Sequence, residues 1–395
     1  MHRVFPIPGG RLGVTTRREQ LPLERLLGFA ARENPKRPFL FVSRVLGRHL
    51  PVRPSEMRAS YRMLAEPLHH LPGPVWVMGM AETATGLGLG VADSLASDAR
   101  RDDVFAQHTT RFDGNQPPLL TFSESHSHAP THLVQQPAPA LRAAFYGARS
   151  LVIVDDEVST GRSVSALVRG LLAHMPHVQT LAFVNLVDWL ESEQRARLGH
   201  ELADCVGSRA LTVLWHSLLE GAFTFTDDGQ SDGPRELPVN VVARVAALGV
   251  RDDLGRSGLR MPVRGRIDLN ALNATGGLPS VAEPVGVIGT GECAFEPFLL
   301  AETLERAGYT VHLQCLSRSP ALLGGAIAAT LDCPDPYGEG VGYYLHNPPP
   351  SGQFCIVVHE HPLAAPLADG GRHWLHLLIP AGSPERAPFA AASSK

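Results

Sequence analysis

The sequence lacks several features that identify whole classes of protein. It contains no run approaching the roughly 20 apolar residues that span a bilayer, and proline and glycine interrupt its amino terminus before a signal-like apolar core could form. Basic and acidic residues nearly balance, at 35 against 39, so the net charge of −4 gives no general attraction to nucleic acid or anionic lipid. We therefore expect a cytoplasmic protein whose partners include neither a membrane nor a nucleic acid.

Cysteine is scarce, and the common hydrolytic signatures are missing. The five cysteines are odd in number, widely spaced and without a Cys-x-x-Cys pair, which favours reduced thiols over a disulfide framework. The chain has no Gly-x-Ser-x-Gly elbow, no His-Glu-x-x-His and no Gly-x-x-x-x-Gly-Lys loop. These absences argue against the usual hydrolases, zinc proteases and nucleotidases.

The length and the texture of the chain predict two α/β domains. A chain of 395 residues exceeds the size at which one core keeps growing, and a hydrophobic content of 44% is ample for burial. Turn-rich polar stretches at 227–234 and 270–279 suit a domain boundary. We predict a first domain over 1–225, a connector with the start of the second domain over 226–280, a smaller α/β domain over 281–385 and a tail over 386–395.

Apolar runs bounded by polar residues predict buried strands, and apolar residues at helical spacing predict helices. A helix is expected over 21–32. In the first domain, strands are expected at 39–45, 75–78, 151–154, 180–187 and 212–215. In the second domain, a βαβ unit is expected from a strand at 285–288, a helix at 295–307 and a strand at 310–316, with a further strand at 354–358. A long polar loop is expected over 102–136.

The most informative segment, residues 151–163, joins an apolar strand to two adjacent carboxylates and a turn. Asp155 and Asp156 only accept hydrogen bonds when ionised, so they suit hydroxyl donors or cations. A sugar diol supplies two such donors side by side. Because buried and unpaired carboxylates cost several kcal/mol each, this pair predicts a ligand at the carboxyl end of the strand.

The turn after the acidic pair suits a phosphate. Its members are Ser159, Thr160, Gly161, Arg162 and Ser163. Glycine lets successive amides point at one spot, and a helix that starts near Ser163 adds a partial positive charge there. The alternative is an ordinary strand-to-helix turn in which a hydroxyl side chain caps the helix.

Residues 151–163 resemble the phosphoribosyl-diphosphate (PRPP) signature of the type I phosphoribosyltransferases. That signature is an apolar strand, an acidic pair, three residues, Thr-Gly and a small hydroxyl residue. The resemblance implies that Asp155 and Asp156 hold the ribose 2′ and 3′ hydroxyls and are the candidate Mg²⁺ ligands. It also implies that the turn from Ser159 to Ser163 cradles the 5′-phosphate.

Several runs in the chain point to a narrower family. They stand in order at 34–52, 79–88, 124–129, 289–292 and 317–320. Together they are similar to the phosphoribosyltransferases of tellurium-resistance gene clusters, whose carboxyl-terminal TRSP domain is named for a Thr-Arg-Ser-Pro motif. Here the motif begins with Ser317 instead of threonine, which keeps the hydroxyl.

In type I enzymes, a loop after an earlier strand of the sheet binds the pyrophosphate of PRPP. The matching residues here are Gly79, Met80, Ala81, Glu82 and Thr83. A bare carboxylate at Glu82 repels pyrophosphate. A Mg²⁺ ion between the two groups turns this repulsion into attraction, since Mg²⁺ favours carboxylates together with substrate phosphates. The alternative is a plain glycine-rich turn that caps a helix.

The polar stretch between the two loops, 102–136, occupies the place of a mobile catalytic flap in related enzymes. Arg111 suits phosphate by bidentate hydrogen bonds, and we take it as a catalytic candidate. His126, His128 and His132 could act on a departing pyrophosphate as cations or as acid and base groups. The alternatives are a metal site built from these imidazoles, although no cysteine is near, or solvated loop histidines.

The second domain carries its own candidate ligand site. Its members are Gly289, Thr290, Gly291, Glu292, Ser317, Arg318 and Ser319. They follow two strands of a βαβ unit, at the edge where open α/β sheets bind ligands. Because the third glycine and the later acidic residue of the dinucleotide fingerprint are missing, NAD is not expected. Arg318 suits a phosphate or carboxylate, and the alternative is an ion pair across the domain interface.

The sequence therefore predicts a type I phosphoribosyltransferase-like parallel sheet with helices on both faces, followed by a smaller TRSP-like α/β domain. The expected function is transfer of the 5-phosphoribosyl group from Mg²⁺-PRPP to a small-molecule acceptor, with release of pyrophosphate. The acceptor is expected to be a base, in nucleotide metabolism or a tellurium-linked stress pathway. A non-catalytic sensor of PRPP or a nucleotide is the alternative, a phosphorylase or hydrolase of a ribosyl phosphate is a third possibility, and a homodimer is expected by analogy alone.

Overall fold

The computed structural model describes residues 1–34, 37–114, 116–123, 131–229, 251–263, 267–274, 277–338, 340–360, 372–379 and 390–391. The helices are α1 Leu23–Leu26, α2 Pro54–Ala65, α3 Thr85–Asp98, α4 Arg142–Tyr146, α5 Arg162–His174, α6 Ser192–Asp204, α7 Leu269–Ala274 and α8 Phe295–Arg306. The strands are β1 His2–Ile7, β2 Gly10–Glu19, β3 Leu27–Ala31, β4 Phe39–Ser43, β5 Val75–Gly79, β6 Val104–His108, β7 Leu120–Ser123, β8 Thr131–Val134, β9 Ser150–Val158, β10 Thr180–Asp188, β11 Thr212–Asp227, β12 Leu259–Arg260, β13 Val285–Gly289, β14 Val311–Cys315, β15 Thr330–Cys333, β16 Tyr343–His346, β17 Phe354–His359, β18 His373–Leu378 and β19 Ala390–Ala391.

The chain groups into two compact units. The first unit comprises Met1–Leu26, Ser60–Gln230 and Asp252–Pro262, and the second comprises Leu27–Ala59, Ser231–Arg251 and Val263–Lys395. Residues 27–59 thus group with the carboxyl-terminal part of the chain, and 252–262 group with the amino-terminal part. The linear domain boundaries stated above stay a prediction.

The first unit is built on an eight-stranded sheet in the order β1-β2-β11-β10-β9-β5-β6-β12. The five middle strands, from β11 to β6, are parallel, while the β1–β2 hairpin and β12 add antiparallel edges. Every residue of β5 and β10 is buried, as expected for apolar strands covered on both faces. The predicted α/β class with a parallel sheet is confirmed.

The connections of this sheet run in two directions from its centre. The chain passes from β5 through α3 to β6 on one side, and from β9 through α5 to β10 on the other. Because such crossovers are right-handed, α3 lies on one face of the sheet, and α5 and α6 lie on the other. The reversal falls between β5 and β9, which is where open α/β sheets bind ligands.

The second unit contains a five-stranded sheet in the order β14-β13-β17-β18-β19. Its first four strands are parallel, and the predicted βαβ unit of β13, α8 and β14 is confirmed. The chain steps from β13 to β14 on one side, and β17 lies on the other side of β13. This sheet therefore has its own reversal, between β13 and β17.

Two expectations for local structure are wrong. The helix expected over 21–32 ends at Leu26, and β3 follows it directly, paired antiparallel with β4. All five residues of β3 are buried, so helical spacing of apolar residues could not separate the two structures there. The stretch 102–136 is not one loop, because β6, β7 and β8 lie within it. Among the described residues, no helix combines the length and the apolar character needed to cross a membrane.

Candidate functional site

The acidic pair lies inside β9, not after it as the sequence suggested. β9 pairs with β10 through Val158, whereas its pairing with β5 ends at Val154. Asp155 and Asp156 are therefore fixed by a neighbouring strand on one side and project past the end of β5 on the other. Backbone pairing gives these two carboxylates more rigid support than a loop would.

The structure brings the acidic pair and the predicted pyrophosphate loop together. The Thr83 hydroxyl donates a 2.9 Å hydrogen bond to Oδ1 of Asp156, and the Asp156 amide donates one of 2.9 Å to Oδ1 of Asp155. The Met80 amide donates to the Val154 carbonyl at 2.9 Å. The loop predicted to bind pyrophosphate thus meets the carboxylates predicted to bind the ribose hydroxyls, at the reversal of the sheet.

The carboxyl group of Asp156 is perturbed. Burial disfavours its charged form, and the neighbouring Glu157 carboxylate adds repulsion, while hydrogen bonds from Thr83 and with Asp155 act in the opposite sense. The net effect raises the pKa of Asp156 from 3.8 to about 6. At neutral pH the group is ionised and poorly solvated, so a hydroxyl donor or a cation placed against it is favourable.

The turn after the pair presents backbone amides. Helix α5 starts at Arg162, with Gly161 as its N-cap residue at φ 71°, and no side chain caps it. The Thr160 hydroxyl lies 3.5 Å from the Arg162 nitrogen, at the limit of a hydrogen bond. The amides of the first turn are thus available to an anion, which argues against a turn that serves only to cap the helix. Ser159 and Ser163 beside them are half-buried.

The pyrophosphate loop runs into α3 in a similar way. Helix α3 starts at Thr85 after Ala84, and no side chain caps it. The loop is tight, because a Cβ on Gly88 would lie 2.7 Å from Cα of Gly79, and a Cβ on Gly79 would lie 2.5 Å from the Ala84 carbonyl oxygen. Glycine at both positions lets the first turn of the helix approach the end of β5.

A buried pair of side chains supports this loop from the neighbouring strand. Oγ1 of Thr109 accepts a 2.8 Å hydrogen bond from the Ala81 amide and lies 3.1 Å from Nδ1 of His132. His132 is fully buried and stacks on Phe122, with ring centroids 4.7 Å apart. His132 therefore supports the loop from a buried position, whereas the sequence suggested that it could act on a departing pyrophosphate from a mobile flap. Nothing local in the sequence marks Thr109.

Of the other flap candidates, Arg111 lies among the described residues. Arg111 donates a 3.1 Å hydrogen bond to the Thr131 carbonyl. His126 and His128 lie outside the described residues, so their catalytic roles stay predictions. No group of three or more histidine, cysteine or acidic side chains that could hold a metal occurs in the described part of the chain.

The second unit brings its two predicted loops to one edge of its sheet. The buried Arg48 donates hydrogen bonds of 2.8 Å to the Gly291 carbonyl and 2.7 Å to the Leu316 carbonyl. The sequence did not single out Arg48 as a site residue. It links the loop after β13 with the loop after β14.

Each of these loops has further support. The Tyr337 hydroxyl lies 2.9 Å from the Thr290 carbonyl oxygen and 2.8 Å from a carboxyl oxygen of the buried Glu360, and it accepts from the Glu292 amide at 3.2 Å. In the loop after β14, the backbone of Ser317 pairs with that of Tyr344. The Ser319 carbonyl accepts a 2.9 Å hydrogen bond from Nε2 of His346. The Arg318 guanidinium lies 6.0 Å from the centroid of the Tyr343 ring. No motif pointed to Tyr337 or Glu360.

Residues 26–222, about half of the chain, match a family model described as phosphoribosyl transferase. A sequence comparison with curated proteins gave no match. Among solved structures, the chain is similar to adenine phosphoribosyltransferases from Rhodothermus marinus (17% identity, 49% of this chain and 96% of that one, TM-score 0.32) and Giardia lamblia (16%, 50% and 98%, 0.32). It is also similar to the Trypanosoma brucei enzyme solved with AMP, pyrophosphate and ribose-5-phosphate (14%, 49% and 77%, 0.33). Since the matched residues contain both loops of the site, the chain belongs over 26–222 to the phosphoribosyl transferase family.

Proposed function

We propose that the first unit binds PRPP together with Mg²⁺ and transfers the 5-phosphoribosyl group to a small-molecule nucleophile, with release of pyrophosphate. The observation that carries the proposal is the hydrogen bond from Thr83 to Asp156. It joins the two predicted halves of a PRPP site at the reversal of the sheet. A turn that only capped a helix would have no need of this contact.

Each part of the site has a distinct task. Asp155 and Asp156 accept hydrogen bonds from the ribose hydroxyls and fix the orientation of the ring. The first turn of α5, with Ser159 and Ser163 beside it, binds the 5′-phosphate. Loop 79–83 and the first turn of α3 hold the pyrophosphate, where backbone amides stabilise the negative charge that grows as the bond to ribose breaks.

The donor chemistry of the site fits Mg²⁺ delivered with the substrate. Two adjacent carboxylates supply only part of an oxygen shell, and Mg²⁺ typically combines one or two carboxylates with substrate phosphates and water. Asp155 and Asp156 would hold the ion, which would offset the negative charge of the pyrophosphate and of Glu82. Arg111, His126 and His128 are proposed to act on the leaving pyrophosphate.

The finer assignments rest on the sequence resemblance. The acceptor is proposed to be a base, in nucleotide metabolism or a tellurium-linked stress pathway. The second unit is proposed to contain the TRSP-like domain and to bind a ligand through 289–292 and 317–319. The two loops lie at one edge of its sheet, joined through Arg48. A cytoplasmic location is proposed from the composition, which shows no apolar run long enough to span a membrane, and a homodimer is proposed by analogy alone.

The decisive experiment measures pyrophosphate release from PRPP and Mg²⁺ with pooled bases and small amines. Wild type is compared with Asp155→Asn/Asp156→Asn and with the control Asp204→Asn, which changes an exposed carboxylate at the end of α6. Release that needs one pool, disappears in the double variant and persists in the control would support the transferase and begin to identify its acceptor. Binding of PRPP without release in any pool would favour a sensor. No binding at all would contradict the proposal.

A further inference from the structure

The first unit includes a segment that lies well beyond the family match. Residues 252–262, the return segment, begin 30 residues after position 222, where the match ends, yet they group with the first unit. Within the segment, β12 pairs antiparallel with β6, with Leu259 opposite Ala106 and Arg260 opposite Phe105. The return segment thus forms one edge of the catalytic sheet.

Specific contacts fix the return segment in place. The His108 amide donates to the Gly255 carbonyl at 3.2 Å, and the Ala138 amide donates to the Ser257 carbonyl at 2.8 Å. Gly255 has a φ of +114°, and a Cβ there would lie 2.8 Å from the His108 ring. Both the backbone conformation and the close approach require glycine. The segment is therefore fitted to β6 and to the chain after β8.

The return segment places a buried cation in the catalytic unit. Arg256 is 1% exposed, and its Nε donates a 3.2 Å hydrogen bond to Oγ1 of Thr110. Its guanidinium lies 5.5 Å from the centroid of the Phe112 ring, and its carbonyl oxygen accepts from Gln107 at 2.7 Å. Arginine stays charged when it is buried, and well-packed apolar side chains often replace buried ions without loss of stability. Packing alone is thus a weak account of an arginine here.

The residue that Arg256 holds is adjacent to the support of the pyrophosphate loop. Thr110 follows Thr109, whose hydroxyl oxygen accepts from the Ala81 amide at 2.8 Å and whose own amide donates to the Gly79 carbonyl at 2.9 Å. We infer that Arg256 is a positioning residue, which fixes the pyrophosphate loop through Thr110 and Thr109. This inference rests on the proposed function of that loop.

The test separates the two ends of the substrate site. Calorimetry measures the binding of three ligands, Mg²⁺-PRPP, Mg²⁺-pyrophosphate and ribose 5-phosphate, to wild type and to Arg256→Gln. The control is Arg260→Gln, because the exposed side chain of Arg260 bonds only to Asp102 in the described contacts. Arg256→Gln is expected to weaken the affinity for PRPP and for pyrophosphate roughly 10-fold. Its affinity for ribose 5-phosphate should stay within about 2-fold of wild type, because binding of that ligand depends on the turn after β9. Arg256→Lys keeps the charge but not the fork of donors, so an intermediate loss is expected.

The alternatives give different results. If Arg256→Gln loses affinity equally for all three ligands and has a lower Tm, or if it binds all three as wild type does, the positioning role is overturned. If Arg256→Gln does not fold, Thr110→Val breaks the same contact while keeping the shape of the side chain. Normal binding of PRPP by Thr110→Val would then refute the inference. If the wild-type protein binds neither PRPP nor ribose 5-phosphate, the proposed function itself fails, which is a separate outcome.

Discussion

Replacement of Asp156 by asparagine should make the free protein more stable and the PRPP site weaker. Burial and the Glu157 charge raise the pKa of Asp156 from 3.8 to about 6. At 1.36 kcal/mol per pKa unit, ionised Asp156 costs the folded state about 3 kcal/mol. Asparagine keeps an acceptor for the Thr83 hydroxyl and carries no charge. The Asp156→Asn protein should therefore gain up to about 3 kcal/mol in free energy of unfolding at pH 8.

The sign of the pH dependence follows from the raised pKa. Well below pH 3.8 the carboxyl is protonated in both folded and unfolded chains, and it costs nothing. Between about pH 4 and pH 6 the unfolded chain ionises first, so the free energy of unfolding of the wild type falls as the pH rises, and above that range the cost is constant. The advantage of Asp156→Asn should accordingly shrink to about half of its pH 8 value at pH 5.

Urea unfolding at pH 5 and pH 8 measures this difference, with Asp204→Asn as the matched control. The control makes the same substitution at an exposed carboxylate, so it measures the general effect of replacing Asp by Asn. Binding of PRPP by Asp156→Asn should weaken by about 10-fold or more, since hydrogen bonds to a charged group contribute about 1.5–3 kcal/mol. A variant that is less stable than wild type at pH 8, or whose gap is equal at both pH values, would refute the reasoning.

Three further predictions test the geometry around the site. Gly88→Ala should lower stability by about 1–3 kcal/mol, because its Cβ would lie 2.7 Å from the Gly79 backbone. The control Gly199→Ala, with open space around it, should raise stability by about 0.5–1 kcal/mol. Equal changes in Tm for the two variants would contradict this. Gly161→Ala, at φ +71°, should lower the free energy of unfolding by about 1 kcal/mol and weaken the binding of ribose 5-phosphate. The control Gly207→Ala, at φ +64° in open space, should lower stability alone. Unchanged ribose 5-phosphate binding by Gly161→Ala in calorimetry would count against the phosphate turn. Hydrogen bonds from Arg101 lower the pKa of Asp103, so Asp103→Asn should reduce stability at pH 7, and this deficit should begin to shrink as the pH falls below 3.8. Urea unfolding that shows a deficit independent of pH would contradict the assignment.

The strands of both sheets could be predicted because their signal is local. Runs such as 75–78, 180–187 and 285–288 are apolar, short and bounded by polar residues, and each is a strand in the structure. The resemblance to the type I enzymes also implied that loop 79–83 and the acidic pair share one site, and the two meet in the structure. The sequence could not fix where β9 ends, because the pairing of Asp155 with Asn185 and of Glu157 with Val187 depends on the length of β10.

The failures share a physical cause, which is that long-range contacts decide them. Residues 27–31 become a strand because β4 supplies partners for their backbone groups. The burial of His132 and its contact with Thr109 depend on chain that is 23 residues away, and Arg256 reaches Thr110 across 146 residues. No spacing rule covers such distances, and each of these residue types is common in ordinary surface loops.

In the proposed site, the perturbed carboxylate and the two helix starts would act together on a ligand. The ionised Asp156 is under-solvated in the free protein, while the first-turn amides of α3 and α5 lack side-chain caps. A ligand with adjacent hydroxyls between two phosphate groups satisfies the carboxylates at its centre and the amides at both ends. A ligand with phosphates alone leaves the carboxylates repelling it, and one with hydroxyls alone leaves the amides unpaired. We therefore propose that the site discriminates by requiring both kinds of group at once, because each kind offsets a cost that the other cannot.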